Sequence, residues 1–175
     1  NEVSKAEGFV IKINNDNRDV IDSLRNESDI QFILDNIYKI NVADKAIKQI
    51  TDGVHDYTSI DFAEGGKLIA QKMSMSHPNE IWSVNEQTKE QKKISSCNDE
   101  LMAKIKWGKV EERWLKATDG KDLHTWVIYP PDFDSTKKYP TLLYCEGGPQ
   151  STVSQFWSYR WNFQIMAAHG YVIIA

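Results

Sequence analysis

Apolar and polar residues alternate with a period of two along much of the first half of the chain, the signature of half-buried β-strands. Ile37-Tyr38-Lys39-Ile40-Asn41 alternates, passes Lys45 and Lys48, and returns at Ile50-Thr51. The pattern recurs 44 positions later, from Ile81-Trp82-Ser83-Val84-Asn85 through Lys89 and Lys92 to Ile94-Ser95. Each copy predicts a strand, a polar turn and a second strand. Between the copies, Tyr57 to Phe62 and Lys67 to Met73 predict another hairpin around Glu64-Gly65-Gly66, whose glycines tolerate positive φ. Ser76-His77-Pro78-Asn79 then turns the chain into the second copy. Four strands in about 40–45 residues is the period of a β-propeller blade. An unrelated antiparallel sheet with a chance match is the alternative.

The pattern changes after Ser95. Val110 to Ala117 and Asp122 to Tyr129 predict two strands around the Asp119-Gly120 turn, and Pro130-Pro131 ends the second because neither can donate to a ladder. Thr141 to Cys145 is a near-continuous apolar run, expected to be a strand buried on both faces with Cys145 an inert buried thiol. A helix is expected across Phe156 to His169, closed by Gly170, and Tyr171 to Ala175 begins another buried strand. Strand, glycine loop, helix, strand is the opening of an α/β sheet. Three segments follow. Residues 1–35 are unassigned, with Phe9 to Ile13 strand-like and Asp19 to Leu34 near helical spacing. Residues 36–105 read as the C-terminal part of a β-propeller, and residues 106–175 as the N-terminal part of an α/β domain.

Composition narrows the function classes. Lys+Arg total 21 against 25 Asp+Glu, and no basic block is interleaved with aromatics, which argues against nucleic acid as a partner. No apolar run approaches the ~18–20 residues of a membrane span. Two separated cysteines make no disulfide framework, and the four histidines show no ligand spacing, so neither a metal nor another cofactor is expected. The first residue is not Met, and the strand from Tyr171 stops in mid-run at Ala175. The sequence is therefore expected to be a segment of a longer chain.

The candidate chemistry sits in Glu146-Gly147-Gly148-Pro149-Gln150, after the strand at 141–145. A Gly-Gly pair there lets backbone N–H groups approach a ligand, and such donors stabilise the oxyanion in acyl transfer. A plain structural turn is the alternative. Phosphate binding is disfavoured because neither G-x-G-x-x-G nor P-loop spacing is present. No G-x-S-x-G elbow occurs, and Ser151, Ser154 and Ser158 lack the strand-turn-helix setting that exposes a nucleophile. His124 and His169 read as a strand-face and a helix-end residue. Glu111 and Glu112 fall on opposite strand faces and make no acid/base pair.

Residues 106–175 closely resemble the entry into the catalytic domain of the prolyl oligopeptidase family, most of all its acylaminoacyl-peptidase and dipeptidyl-peptidase-like branch. The likeness rests on "DG" leading to "YPPDF", then "KKYPTLLY", "GGPQ" and "AAHGYVIIA". Residues 36–95 resemble the closing blades of that family's β-propeller. The resemblance implies propeller blades followed by the start of an α/β-hydrolase domain, truncated before a Ser, Asp, His triad beyond residue 175. It implies a serine peptidase acting on short peptides through an acyl-enzyme, releasing aminoacyl or dipeptidyl units. An esterase and a non-catalytic propeller module with a degenerate hydrolase domain are the alternatives. It also implies a periplasmic or secreted parent, with a cytoplasmic one possible.

In the acylaminoacyl-peptidase branch an "HGGP" loop gives a backbone N–H to the oxyanion hole, which carries over to Gly148, with Gly147 beside it. Here the first position of that motif is Glu146 rather than His. In the dipeptidyl-peptidase IV branch the place holds a Tyr whose hydroxyl donates. An ionised Glu cannot donate, so its side chain is expected to point away from the oxyanion. This chain alone is expected to be catalytically inert and poorly stable, because partial propellers and sheets leave edges and apolar faces open.

Overall fold

A computed structural model describes residues 9–12, 36–40, 44, 46–64, 67–146 and 153–175. Their contacts divide the chain into two units, residues 1–74 with 79–97 and residues 75–78 with 98–175.

In the first unit, β1 (Phe9–Lys12), β2 (Ile37–Ile40) and β3 (Ile47–Gln49) form an antiparallel sheet in the order β1-β2-β3. A second sheet runs in sequence order through β4 (Asp56–Phe62), β5 (Leu68–Ser74), β6 (His77–Val84) and β7 (Gln91–Lys93). The 44-residue repeat of the sequence is a repeat of bonds. Tyr38 pairs with Gln49 as Trp82 pairs with Lys93, and Ile40 pairs with Ile47 as Val84 pairs with Gln91. Ile50 N–H donates to the Ile37 carbonyl at 2.8 Å, and Ile94 to that of Ile81 at 2.7 Å.

The hydroxyl that ends each copy closes it in the same way. Thr51 Oγ1 accepts from Ile37 N–H at 2.9 Å, and Ser95 Oγ from Ile81 N–H at 2.8 Å. The first hydroxyl then donates to Asn36 and the second to Glu80, side chains that correspond in the repeat. In the first copy that N–H is buried, where a donor left without a partner is costly; in the second it is exposed. The core beneath comprises Ile37, Ile50, Tyr57, Leu68, Ala70 and Val84.

Beside it, Gln91 Oε1 accepts from the Tyr57 hydroxyl at 2.7 Å and from Lys72 Nζ at 2.8 Å, while Lys72 stands 3.5 Å from the Trp82 ring centre. His55 packs edge-on against Tyr57 at 4.9 Å. Burial first, and then the charge of Lys72, lower the His55 pKa from 6.5 to about 4. The fold therefore favours neutral His55. This contribution is complete above pH 6.5 and is lost as pH falls towards 4, where the unfolded chain binds the proton more readily. His55→Phe keeps an aromatic edge on Tyr57 without a titrating group. Its melting temperature is expected to depend less steeply on pH between 6.5 and 4 than that of the parent, a difference thermal melts in that interval would read.

In the second unit, β8 (Val110–Lys116), β9 (Asp122–Ile128), β10 (Thr141–Leu143) and β11 (Val172–Ile174) make a sheet in the order β10-β11-β9-β8. β10 and β11 are parallel; the other pairs are antiparallel. Two short helices accompany it, α1 (Asp99–Met102) and α2 (Phe163–Ala168). The turn at Thr118-Asp119-Gly120 closes with Ala117 N–H on the Lys121 carbonyl and Gly120 at φ 84°, a left-handed position that suits glycine. Met75, Trp126, Ile128, Phe163, Ala167 and Ile173 form the core.

Three expectations are corrected. The turn expected at Ser76-His77-Pro78-Asn79 lies at Met75-Ser76, and β6 already begins at His77. The helix expected across Phe156 to His169 is confined to Phe163–Ala168. Ser158 Oγ accepts from the N–H of Arg160 at 3.2 Å and of Trp161 at 2.8 Å, a local turn that competes with helix, and Asn162 then caps the helix by accepting from Ile165 N–H at 3.1 Å. The run Thr141 to Cys145 is not a strand buried on both faces. β10 ends at Leu143, lies at the edge of its sheet among the described residues, leaves Leu143 71% exposed, and is followed by an exposed Cys145. Its apolar composition exceeds what the described residues cover.

Candidate functional site

Gly147 and Gly148, the two residues singled out in sequence, lie outside the described residues, as do Pro149, Gln150 and Ser151. The structure does describe both flanks of that loop. On the entering side, Tyr144 extends the ladder beyond β10 by donating its N–H to the Ile174 carbonyl at 2.8 Å. Its ring stands edge-on to Phe163 at 5.0 Å. Burial first, and then the neighbouring Glu146 carboxylate, raise the Tyr144 pKa.

On the returning side, the Val153 carbonyl accepts from the indole Nε1 of Trp126 at 2.9 Å, which ties the chain to the middle of the sheet. Gln155 Oε1 accepts from Met75 N–H at 3.3 Å. Phe156 packs against Phe163 at 5.6 Å, and Trp157 against Trp107 at 5.9 Å. The loop thus leaves the end of a strand parallel to β11 and comes back through an aromatic segment to the capped start of α2.

Besides its core residues and cap, α2 has one buried polar anchor. Gln164 is 4% exposed; its Oε1 accepts from Gly108 N–H at 2.9 Å, while its Nε2 donates to the Gly108 carbonyl at 3.1 Å and to Ser76 Oγ at 3.0 Å. Gly108 cannot be replaced without disturbance, because an added Cβ would lie 1.8 Å from the Tyr129 carbonyl oxygen. Neither residue was singled out from the sequence. A glutamine in an apolar helix gives no sign that it is the buried member, and a lone glycine after Trp107 gives no sign of close packing.

The remaining candidates behave as structural residues. Glu111 pairs with Lys109 at 2.7 Å and Arg113 at 2.8 Å, whereas Glu112 faces His124 at 3.2 Å and Trp114 Nε1 at 3.0 Å, so the two carboxylates serve different faces. Burial lowers the His124 pKa against the opposing pull of Glu112. His169 is the C-cap of α2. No group of His, Cys, Asp and Glu suited to a metal ion occurs among the described residues. No described helix is long and apolar enough to cross a membrane.

No family model matches the chain. Among curated proteins, dipeptidyl-peptidase 5 of Porphyromonas gingivalis is 43% identical over 141 residues, which cover 80% of this chain and 20% of that protein. Dipeptidyl-peptidase 5 of Schizosaccharomyces pombe is 31% identical over 121 residues, covering 69% and 17%. Among solved structures, an acylaminoacyl peptidase in complex with Z-Gly-Gly-Phe-chloromethyl ketone superposes with a TM-score of 0.66 at 25% identity, covering 79% of this chain and 21% of that one. Uncomplexed Pyrococcus horikoshii acylaminoacyl peptidase gives 0.64 at 25% identity, covering 79% and 20%. The chain spans about a fifth of the length of the curated relatives it matches.

Proposed function

We propose, from the premise that this chain belongs to the prolyl oligopeptidase family of serine peptidases, that it carries the oxyanion loop of an enzyme that releases dipeptides or aminoacyl units from short peptides. In this reading the sheet β4-β5-β6-β7 is a propeller blade and β2 and β3 belong to the preceding one, a reading supported by their shared 44-residue register. The second unit is the entrance to an α/β-hydrolase domain, where β10, the loop and α2 take the places of an early strand, an oxyanion loop and the helix behind it. Residues outside this chain supply the Ser, Asp, His triad. The substrate's acyl carbon bonds to the serine oxygen, and the amine leaves with a proton from the histidine; water then releases the acyl group.

The observation that carries the site assignment is the placement of the loop's flanks, between the ladder that Tyr144 extends and the capped start of α2. A carboxylate at 146, where related loops hold His or Tyr, has no hydrogen to donate, which leaves stabilisation of the oxyanion to the backbone N–H of Gly148, next to Gly147. Accordingly, Glu146→Gln in the full-length enzyme is expected to keep kcat within about tenfold of the parent. A loss of about 10²–10³, the effect of removing an oxyanion donor, would show that the side chain takes part directly. The activity itself is tested by comparing dipeptidyl, aminoacyl and simple ester substrates on the full-length protein. Preferential hydrolysis of the simple ester, or no labelling by a serine-directed phosphonate, would sink the peptidase reading. The family likeness also favours a periplasmic or secreted location, which cell fractionation would decide.

A further inference from the structure

β8 is the outer strand of its sheet and pairs with β9 alone among the described residues. Its register runs from Val110↔Ile128 to Lys116↔Asp122 without a shift, and it contains no proline. Edge strands are normally protected by charged side chains, a bulge, a proline or a covering element, because their free N–H and C=O groups are a template for another strand; of these β8 carries only its charges. The odd-numbered residues bond towards β9, as Tyr129 N–H to the Lys109 carbonyl and Ala117 N–H to that of Lys121 show. The backbone groups of Glu112, Trp114 and Lys116 therefore face away from the sheet. Trp114 is 42% exposed and Leu115 49%, opposite Leu123 at 51%.

We infer that β8 pairs antiparallel with β8 of a second copy of this chain, centred on Trp114. The outward backbone groups can meet their own copy only about a residue that aligns 112, 114 and 116 with one another. Centring on Glu112 or Arg113 sets like charges opposite each other. Centring on Trp114 sets Glu112 against Lys116 of the second copy twice, Arg113 against Leu115, and Trp114 against itself. The strand is thus complementary to itself in charge as well as in backbone bonding. Neither charge is locked away. Both in-chain contacts of Glu112 fall on its Oε1, and Lys116 holds only the exposed Asp122 at 2.7 Å. Direct opposite-charge pairs across strands favour this register, whereas the others set like charges opposite each other or, centred on Leu115, form no opposite-charge pair within the strand.

Cysteine cross-linking and sedimentation test it on the full-length protein with native cysteines replaced by serine. Trp114→Cys is expected to give a disulfide-linked dimer under mild oxidation, since a hydrogen-bonded antiparallel pair holds its Cα atoms ≈ 5.5 Å apart, within disulfide range. Arg113→Cys and Leu115→Cys are each expected to remain unlinked alone and to link when mixed. In sedimentation, Glu112→Lys is expected to weaken the dimer by about tenfold or more, and Glu112→Lys with Lys116→Glu to recover it to within about threefold, because the swap restores both pairs. A protein that stays monomeric with no link at 114, or one that links at 113 or 115 alone, overturns the pairing. So does a double swap that fails to recover association.

Discussion

Gly108→Ala is expected to destabilise the second unit by more than about 4 kcal/mol, a size reached only when a backbone or a packed core must be displaced. The Cβ would meet the Tyr129 carbonyl oxygen at 1.8 Å, and that oxygen belongs to backbone and not to a side chain that could swing aside. Tyr129 is itself held by its N–H on the Lys109 carbonyl at 2.9 Å. Relief therefore requires the end of β9 to part from the start of β8. That movement would also pull Gly108 from the two bonds it makes with Gln164. Urea denaturation of the full-length protein, followed by tryptophan fluorescence, measures the loss. A midpoint change worth less than about 1 kcal/mol would mean that the close approach relaxes freely.

The second large effect is expected at Trp126. Its side chain lies in the core with Phe163, Ile128 and Ile173, and Trp126→Ala should cost about 3–5 kcal/mol, as for other buried aromatics cut to alanine. The indole N–H also holds the Val153 carbonyl, where the chain returns from the glycine loop. Trp126→Phe separates these roles, keeping most of the packing and removing only the hydrogen bond, worth about 1 kcal/mol net. If the loop acts on substrate, Trp126→Phe should lower kcat more than its small stability loss explains. Melting curves and initial rates on the same samples decide this; unchanged kcat would show that Val153 needs no such anchor.

Much of the sheet structure was legible because alternation records which side of a strand is covered. Tyr57 to Phe62, Val110 to Ala117 and Asp122 to Tyr129 were marked by that period and by the glycine turns between them, and the strands lie there. The repeat was legible down to its hydroxyls, since Thr51 and Ser95 differ only in a methyl group. The helix at 156–169 was overextended because spacing cannot show Ser158 spending its oxygen on two backbone N–H groups. Nor could spacing order α2 internally: Gln164 is buried and Ile165 is 59% exposed, the reverse of their transfer preferences. A glutamine with three hydrogen bonds loses little by burial, but its two partners lie 56 and 88 residues away, beyond any local pattern. At the candidate site, the glycines were visible as composition, whereas the Trp126–Val153 bond that holds the returning chain joins residues 27 apart, beyond any local pattern.

The second unit contains residues 75–78 as well as 98–175. Met75 fills its core and bonds to Gln155 across 80 residues of sequence, and Ser76 supplies one of the three bonds of Gln164. A single genetic crossover near residue 98 would therefore hand over an incomplete unit, lacking a core side chain and a hydroxyl. Recombination between relatives can exchange this unit cleanly only when the incoming and resident sequences already agree at 75–78. Those four positions should then vary together with the residues of 98–175 that they touch, despite standing among strands of another sheet.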